Sequence, residues 1–178
     1  MSGFKIAATA VVLTFAFIAQ PAWSGANLGQ PASEKEVQAW DISIGPDGAG
    51  LPAGKGTAKD GATIYEAKCL SCHGKAGAGG KKLADRMVGG IGTLASAKPV
   101  KTVGSFWPYA TTLFDYIRRA MPFDVPLSLT DDEVYALTAY ILWLNDGIVA
   151  EEQVVNSKTL PKIKMPNRDG FVSHWPPK

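Results

Sequence analysis

Cys69-Leu70-Ser71-Cys72-His73 is the stretch on which the reading of this chain turns. Two thiols three residues apart, followed at once by an imidazole, have the spacing used to attach a c-type haem covalently. On a helical turn each thiol can add to one vinyl group of the porphyrin, and the next residue then aims its imidazole at the iron. The ring nitrogen of His73 that does not ligate is free to donate a hydrogen bond, which fixes ring orientation and basicity. Other uses of the pair exist. A dithiol redox motif shares the spacing but expects a strand and helix in a thioredoxin-like setting, and no strand of convincing length can be read here. A metal site completed by another chain and a plain disulfide are the remaining alternatives. Cys69 and Cys72 are the only cysteines among 178 residues, so neither a disulfide framework nor a four-thiolate zinc site can be built from this chain alone.

The flanking sequence reads as helices. One is expected from Ala58 to Cys69 with Ile64 and Tyr65 facing inward. Gly61 lies one turn before Tyr65, and because an internal Gly costs a helix about 1 kcal/mol against Ala, it points to close approach by another helix. A glycine-rich loop follows from Gly74 to Gly92, with Leu83 and Met87 as its apolar anchors. Thr111 to Ala120 has Leu113, Tyr116 and Ile117 at helical spacing, and Pro122 and Pro126 stop it. The clearest helix spans Asp131 to Leu144: Thr130 caps it, Glu133 completes the capping box, and Asp131 and Asp132 oppose the helix dipole. Val134, Leu137, Ile141 and Leu144 form its inner stripe, and Asn145-Asp146-Gly147 ends it.

Outside these helices lie two arms. Residues 25–56 carry Gly45-Pro46, Asp47-Gly48 and Leu51-Pro52 turn signals, with one short helix at Glu34 to Trp40 capped by Ser33 and Glu36 and burying Val37 and Trp40. Residues 148–178 show no strong periodicity, end in Trp175-Pro176-Pro177, and are expected to wrap the surface. Residues 1–24 read as an export signal, with Lys5, an apolar run from Ile6 to Ala19, then Pro21 and small residues. That run of about 14 residues falls short of the ~20 that span a bilayer, and no later segment is long enough, so a periplasmic mature chain without a membrane span is expected. The resulting division is 1–24 signal, 25–56 arm, 57–147 folded domain and 148–178 extension.

Composition narrows the classes further. Hydrophobic residues make up 46% and charged residues 19% of the chain, which excludes a disordered protein. A formal charge of +2 is too small for a protein that works by binding nucleic-acid phosphates. Charge is also uneven: Lys68, Lys75, Lys81, Lys82 and Arg86 crowd the Cys69–His73 segment, whereas residues 120–157 hold seven acidic groups and no Lys or Arg. The basic cluster reads equally as a rim that attracts an acidic partner or as a solvated loop.

A haem iron held by one His needs a sixth ligand, often Met in electron-transfer proteins. Met87 lies in the glycine-rich loop, Met121 sits at the Met-Pro turn after the middle helix, and Met165 has a similar Met-Pro setting in the tail. In this order of haem motif, loop, middle helix, Met-Pro turn and acid-capped last helix with Leu137-Thr138-Ala139-Tyr140-Ile141, the chain resembles the class I c-type cytochromes from Gly56 to about Gly147. The resemblance implies an all-α, class I cytochrome c fold with irregular N- and C-terminal extensions and one covalent haem c per chain. It implies Cys69 and Cys72 as attachment points, His73 and Met121 as axial ligands, and Gly61 and Tyr65 meeting the last helix near Ala136 and Tyr140. Met121 follows its helix more closely than in many relatives, which keeps Met165 in view.

Trp40-Asp41-Ile42, Gly45-Pro46-Asp47-Gly48, the run from Val103 to Phe123, and Met165-Pro166-Asn167-Arg168-Asp169-Gly170-Phe171 are together similar to the cytochrome subunit of bacterial sulfite and sulfane dehydrogenases. That resemblance implies one-electron transfer rather than catalysis. The donor would be a molybdopterin subunit that oxidises sulfite or sulfane sulfur, and a downstream cytochrome or oxidase would take the electrons. The sulfane-dehydrogenase cytochrome usually carries two haem domains, and this chain has one attachment motif. A free carrier with several partners and a haem enzyme or sensor with an open sixth position are the other readings. Trp107, Tyr109, Arg118 and Arg119 are candidates to meet a haem propionate, against plain packing for the aromatics and a solvated helix end for the arginines. His174, close to an irregular terminus, is a weak candidate for a second axial His.

Overall fold

The computed structural model describes residues 29–80 and 84–172. The expected signal segment 1–24, Leu83, Lys81, Lys82, His174 and the Trp175-Pro176-Pro177 ending lie outside the described residues. In chain order the elements are α1 (Glu34–Trp40), β1 (Lys55–Gly56), α2 (Ala58–Lys68), α3 (Leu70–His73), a 3-10 turn at Lys75–Gly77, α4 (Val103–Phe106), α5 (Ala110–Ala120), α6 (Asp131–Leu144), β2 (Val155–Asn156) and a second 3-10 turn at Leu160–Lys162. The architecture is all-α, with a single two-residue antiparallel ladder pairing Lys55 with Asn156 and Gly56 with Val155. No helix among the described residues is long and apolar enough to cross a membrane.

Helix α6 is the axis of the fold. Thr130 accepts from the Glu133 backbone, and the Glu133 side chain accepts in return from the Thr130 N–H at 2.9 Å, so the expected capping box forms. The burial of α6 differs from the expected single stripe. Residues Val134 through Ala139 are all buried, as are Ile141 and Leu142, while Leu144 is only half-buried. The helix is apolar nearly all round because α2, α5 and the paired β1 and β2 all pack against it. The α2–α6 crossing is close: a Cβ placed on Gly61 would fall on the Ala136 carbonyl oxygen, and one on Gly56 would meet the Ala136 backbone. Tyr65 and Tyr140 pack here with ring centroids 5.2 Å apart, as the resemblance implies.

The tail does not lie on the surface as expected. Val149, Val155, Leu160, Ile163 and Met165 are buried in the same core as Leu113, Phe114, Ile117 and Leu137. Burial of each such side chain is worth about 1.5–3 kcal/mol, which outweighs the lack of regular structure. The N-terminal arm is tied down by long-range polar contacts. Ile44 N donates to Asp115 at 3.2 Å, Lys55 N to Asp132 at 2.7 Å, and the Tyr135 hydroxyl to Pro52 O at 2.8 Å. At α1 the Ser33–Glu36 capping box forms, but Val37 is 52% and Trp40 84% exposed, contrary to the expected buried face. Helical spacing puts these two residues on one side of a seven-residue helix, yet no described element packs against that side.

Candidate functional site

Helix α2 stops at Cys69, whose N–H donates to Tyr65 O at 2.9 Å while its own φ and ψ leave the helical region. The chain then starts a new turn at once. Cys69 O accepts from both Cys72 N at 3.2 Å and His73 N at 2.9 Å, which gathers two thiols and an imidazole on α3. Both cysteines are free; Cys69 is half-buried and Cys72 exposed. Gly74 closes the turn with φ +73°, and its N–H donates to Leu70 O at 2.9 Å. A side chain is excluded at Gly74, where a Cβ would strike the Gly79 carbonyl, and at Gly80, where it would strike the Cys72 carbonyl. The glycine-rich loop is thus folded tightly back on the Cys72–His73 turn.

Two side chains hold this loop in place. The Tyr65 hydroxyl donates to Gly74 O at 2.8 Å and accepts from Gly77 N at 3.1 Å, so a residue of α2 brackets the segment that follows His73. Asn145, 1% exposed at the end of α6, accepts from Gly89 N at 3.1 Å and donates to Met87 O at 3.2 Å and Ile141 O at 2.8 Å. Sequence reasoning placed Tyr65 on a helix face against the last helix and Asn145 at a helix stop, and gave neither a part in holding the loop. Nothing in local spacing signals a bond across 56 residues. The four-residue α4 was also missed; Thr102 caps it, and its hydroxyl donates to Gly89 O at 2.6 Å.

Electrostatics around the turn follow from burial. Desolvation pushes the Cys69 thiol up to about 11, with Lys68 opposing. Burial lowers the His73 pKa, which favours the neutral imidazole that binds metals. His73 Nδ1 is buried with no hydrogen-bond partner. Free thiols at this spacing, a neutral imidazole beside them and a ring nitrogen unmatched by the protein together fit a covalently held haem. Among the described residues no group of three or more His, Cys, Asp or Glu could hold a bare metal ion.

The sixth-ligand candidates fall in different surroundings. Met121 caps the C-terminus of α5, with its N–H on Ile117 O at 3.1 Å. It is half-buried and packs, like Cys69, at the margin of the main core. Met87 is half-buried in the loop, its N–H on Gly77 O at 2.8 Å. Met165 is 1% exposed inside the core, beside the bridge that joins Tyr109 to Lys164. Met121 and the Tyr109 bridge therefore mark opposite ends of α5, about 18 Å apart at 1.5 Å per residue. Arg118 pairs with Asp131 at 3.4 Å and Arg119 with Asp115 at 2.9 Å, so both arginines have carboxylate partners within the fold. Trp107 packs edge-on to Tyr116, and Tyr109 lies under the Arg168 guanidinium at 4.4 Å. In the basic cluster, Lys68 is tied to Glu133.

Comparison with known proteins adds two findings. The family model for cytochrome c oxidase, cbb3-type, subunit III matches residues 56–141. The solved structure of the sulfane dehydrogenase SoxCD from Paracoccus pantotrophus is similar with a TM-score of 0.75 and 38% identity, over 82% of this chain and 71% of that one. None of the curated protein sequences compared with the chain matches it.

Proposed function

The chain belongs to the class I c-type cytochromes and is related to the cytochrome subunits of sulfane dehydrogenases, and from that premise we propose that it is the exported electron acceptor of a molybdenum-dependent sulfite or sulfur dehydrogenase. Haem c, bound covalently, supplies a one-electron ferric/ferrous couple. Cys69 and Cys72 would anchor it through thioether links, and His73 and Met121 would supply the ligands to its iron. The observation that carries this reading is the single turn in which the Cys69 carbonyl binds both the Cys72 and His73 amides. That turn keeps the three donors together on five consecutive residues.

The remaining residues keep the site still. Tyr65 and Asn145 pin the loop beyond His73, which limits reorganisation when the iron changes charge. Met121 sits at the end of α5, half-buried at the margin of the core that holds Leu113, Phe114 and Ile117. Residues 1–24 direct the chain out of the cytoplasm, and haem is attached after export.

The test uses full-length chain made in a host competent for cytochrome maturation. The expected product is periplasmic and coloured, has the mass of the mature chain plus one haem, and is reduced when mixed with the molybdenum sulfite or sulfane dehydrogenase of the same cell and its substrate. A colourless product refutes haem attachment. A coloured product that the dehydrogenase does not reduce refutes the choice of donor and leaves a carrier with other partners.

A further inference from the structure

The loop joining α5 to α6 holds apolar side chains in water. Phe123 is 87% exposed, Val125 53% and Leu127 64%, within five consecutive residues. Isolated exposed apolar residues are ordinary on a protein surface, whereas a group of large ones in one short loop marks a contact surface. Leu127 carries a second cost. Its φ is +62°, and it follows Pro126 in a turn whose second central position suits Gly or Asn. A leucine in left-handed backbone, with its side chain directed to solvent, is strained and unshielded at once. Strain of this kind accumulates where a side chain is needed for function.

The charge pattern describes what meets the loop. Asp124 is the only charged residue between Met121 and Thr130 and is exposed. No Lys or Arg occurs from 120 to 157. Arg118 is engaged with Asp131. The patch is therefore apolar with a negative edge.

We infer that Phe123, Val125 and Leu127 form the surface on which the electron-donating protein docks, through an apolar face of its own that places Lys or Arg side chains opposite Asp124. This rests on the electron-transfer reading above. The loop begins at Met121, so a protein seated on it stands next to the residue proposed to ligate the iron. No chemistry beyond transfer of one electron from the donor to the haem iron is required.

The experiment measures reduction of the haem-loaded full chain by the molybdenum dehydrogenase in a stopped-flow instrument, at low and high salt. Leu127→Gly removes the side chain and relieves the strained backbone, so the fold is retained; Phe123→Ser and Asp124→Lys supply independent changes. Leu127→Gly and Phe123→Ser should each weaken docking about five- to tenfold, read as a rise in the dehydrogenase concentration for half-maximal rate. Asp124→Lys should slow association, most strongly at low salt. The far-red Met-to-ferric band and the reduction potential should stay as in the parent protein. Parent rates in both apolar variants overturn the inference. So does a lost far-red band or new CO binding, which would assign the side chains to covering the haem, and so does a dimer of the parent protein that the variants dissolve. If the parent protein itself is not reduced by the dehydrogenase, the donor assignment fails before the variants are compared.

Discussion

Asn145 Oδ1 accepts a hydrogen bond from Gly89 N at 3.1 Å and thereby fastens the end of α6 to the far side of the glycine-rich loop. The same side-chain amide donates to Met87 O and Ile141 O, and a Cβ on Gly104 would collide with it. One buried amide thus joins the loop, α4 and α6. Asn145→Ala leaves the Gly89 amide and the Met87 carbonyl without their partner, and an unmatched buried polar group costs about 1–3 kcal/mol. Urea denaturation should show a loss in that range, and amide exchange should quicken at Gly89 more than in α5.

Gly61→Ala forces a methyl onto the Ala136 carbonyl oxygen at the α2–α6 crossing. Backbone lies on both sides, so neither helix yields cheaply. Overpacking of this kind costs about 1–3 kcal/mol, and the variant should melt several degrees lower while its ferrous spectrum, once loaded, is unchanged.

Met121 and Met165 separate by their burial. Met121→Ala should abolish the far-red band and open the ferrous iron to CO. Met165→Ala should leave both as they are and instead lower stability by about 2–5 kcal/mol, because it deletes a core side chain that is 1% exposed. The reverse pair of results would transfer the axial role to the tail.

Alkaline stability should depend on Tyr135. Burial, aided by Asp131 and opposed by Arg118, raises its pKa from 10.0 to about 12. The folded chain therefore keeps a proton that the unfolded chain loses, and the stabilisation present below pH 10 is lost as pH rises toward 12. Tyr135→Phe removes the bond to Pro52 O, at about 1 kcal/mol, and should flatten that decline. Tyr65, also raised to about 12 mainly by burial, keeps part of it in place.

Much of this was legible from residues that act locally. The Thr130–Glu133 box, the Cys69–His73 spacing and the Gly61 gap are each written within a few positions, and each appears where expected. What escaped depended on partners distant in the chain. The tail's core residues, Val149, Val155, Leu160, Ile163 and Met165, follow neither a two-residue nor a helical period, so no pattern announces their burial. Val37 and Trp40 erred the other way, since spacing shows that residues share a face and says nothing about what covers it. The all-round burial of α6 was hidden because Tyr135, Thr138 and Leu142 fall off the stripe that periodicity selects.

Leu160, Ile163 and Met165 follow every helix of the site in chain order and complete the core described here. A chain that has emerged as far as Gly147 has α1 to α6 in hand and still lacks one wall of its interior. Emergence from the membrane amino-terminus first would therefore grant a maturation enzyme an interval in which Cys69 and Cys72 ride on an unsealed scaffold. Hastening or delaying release of the final segment should change the yield of pigmented protein without altering any residue near the thiols.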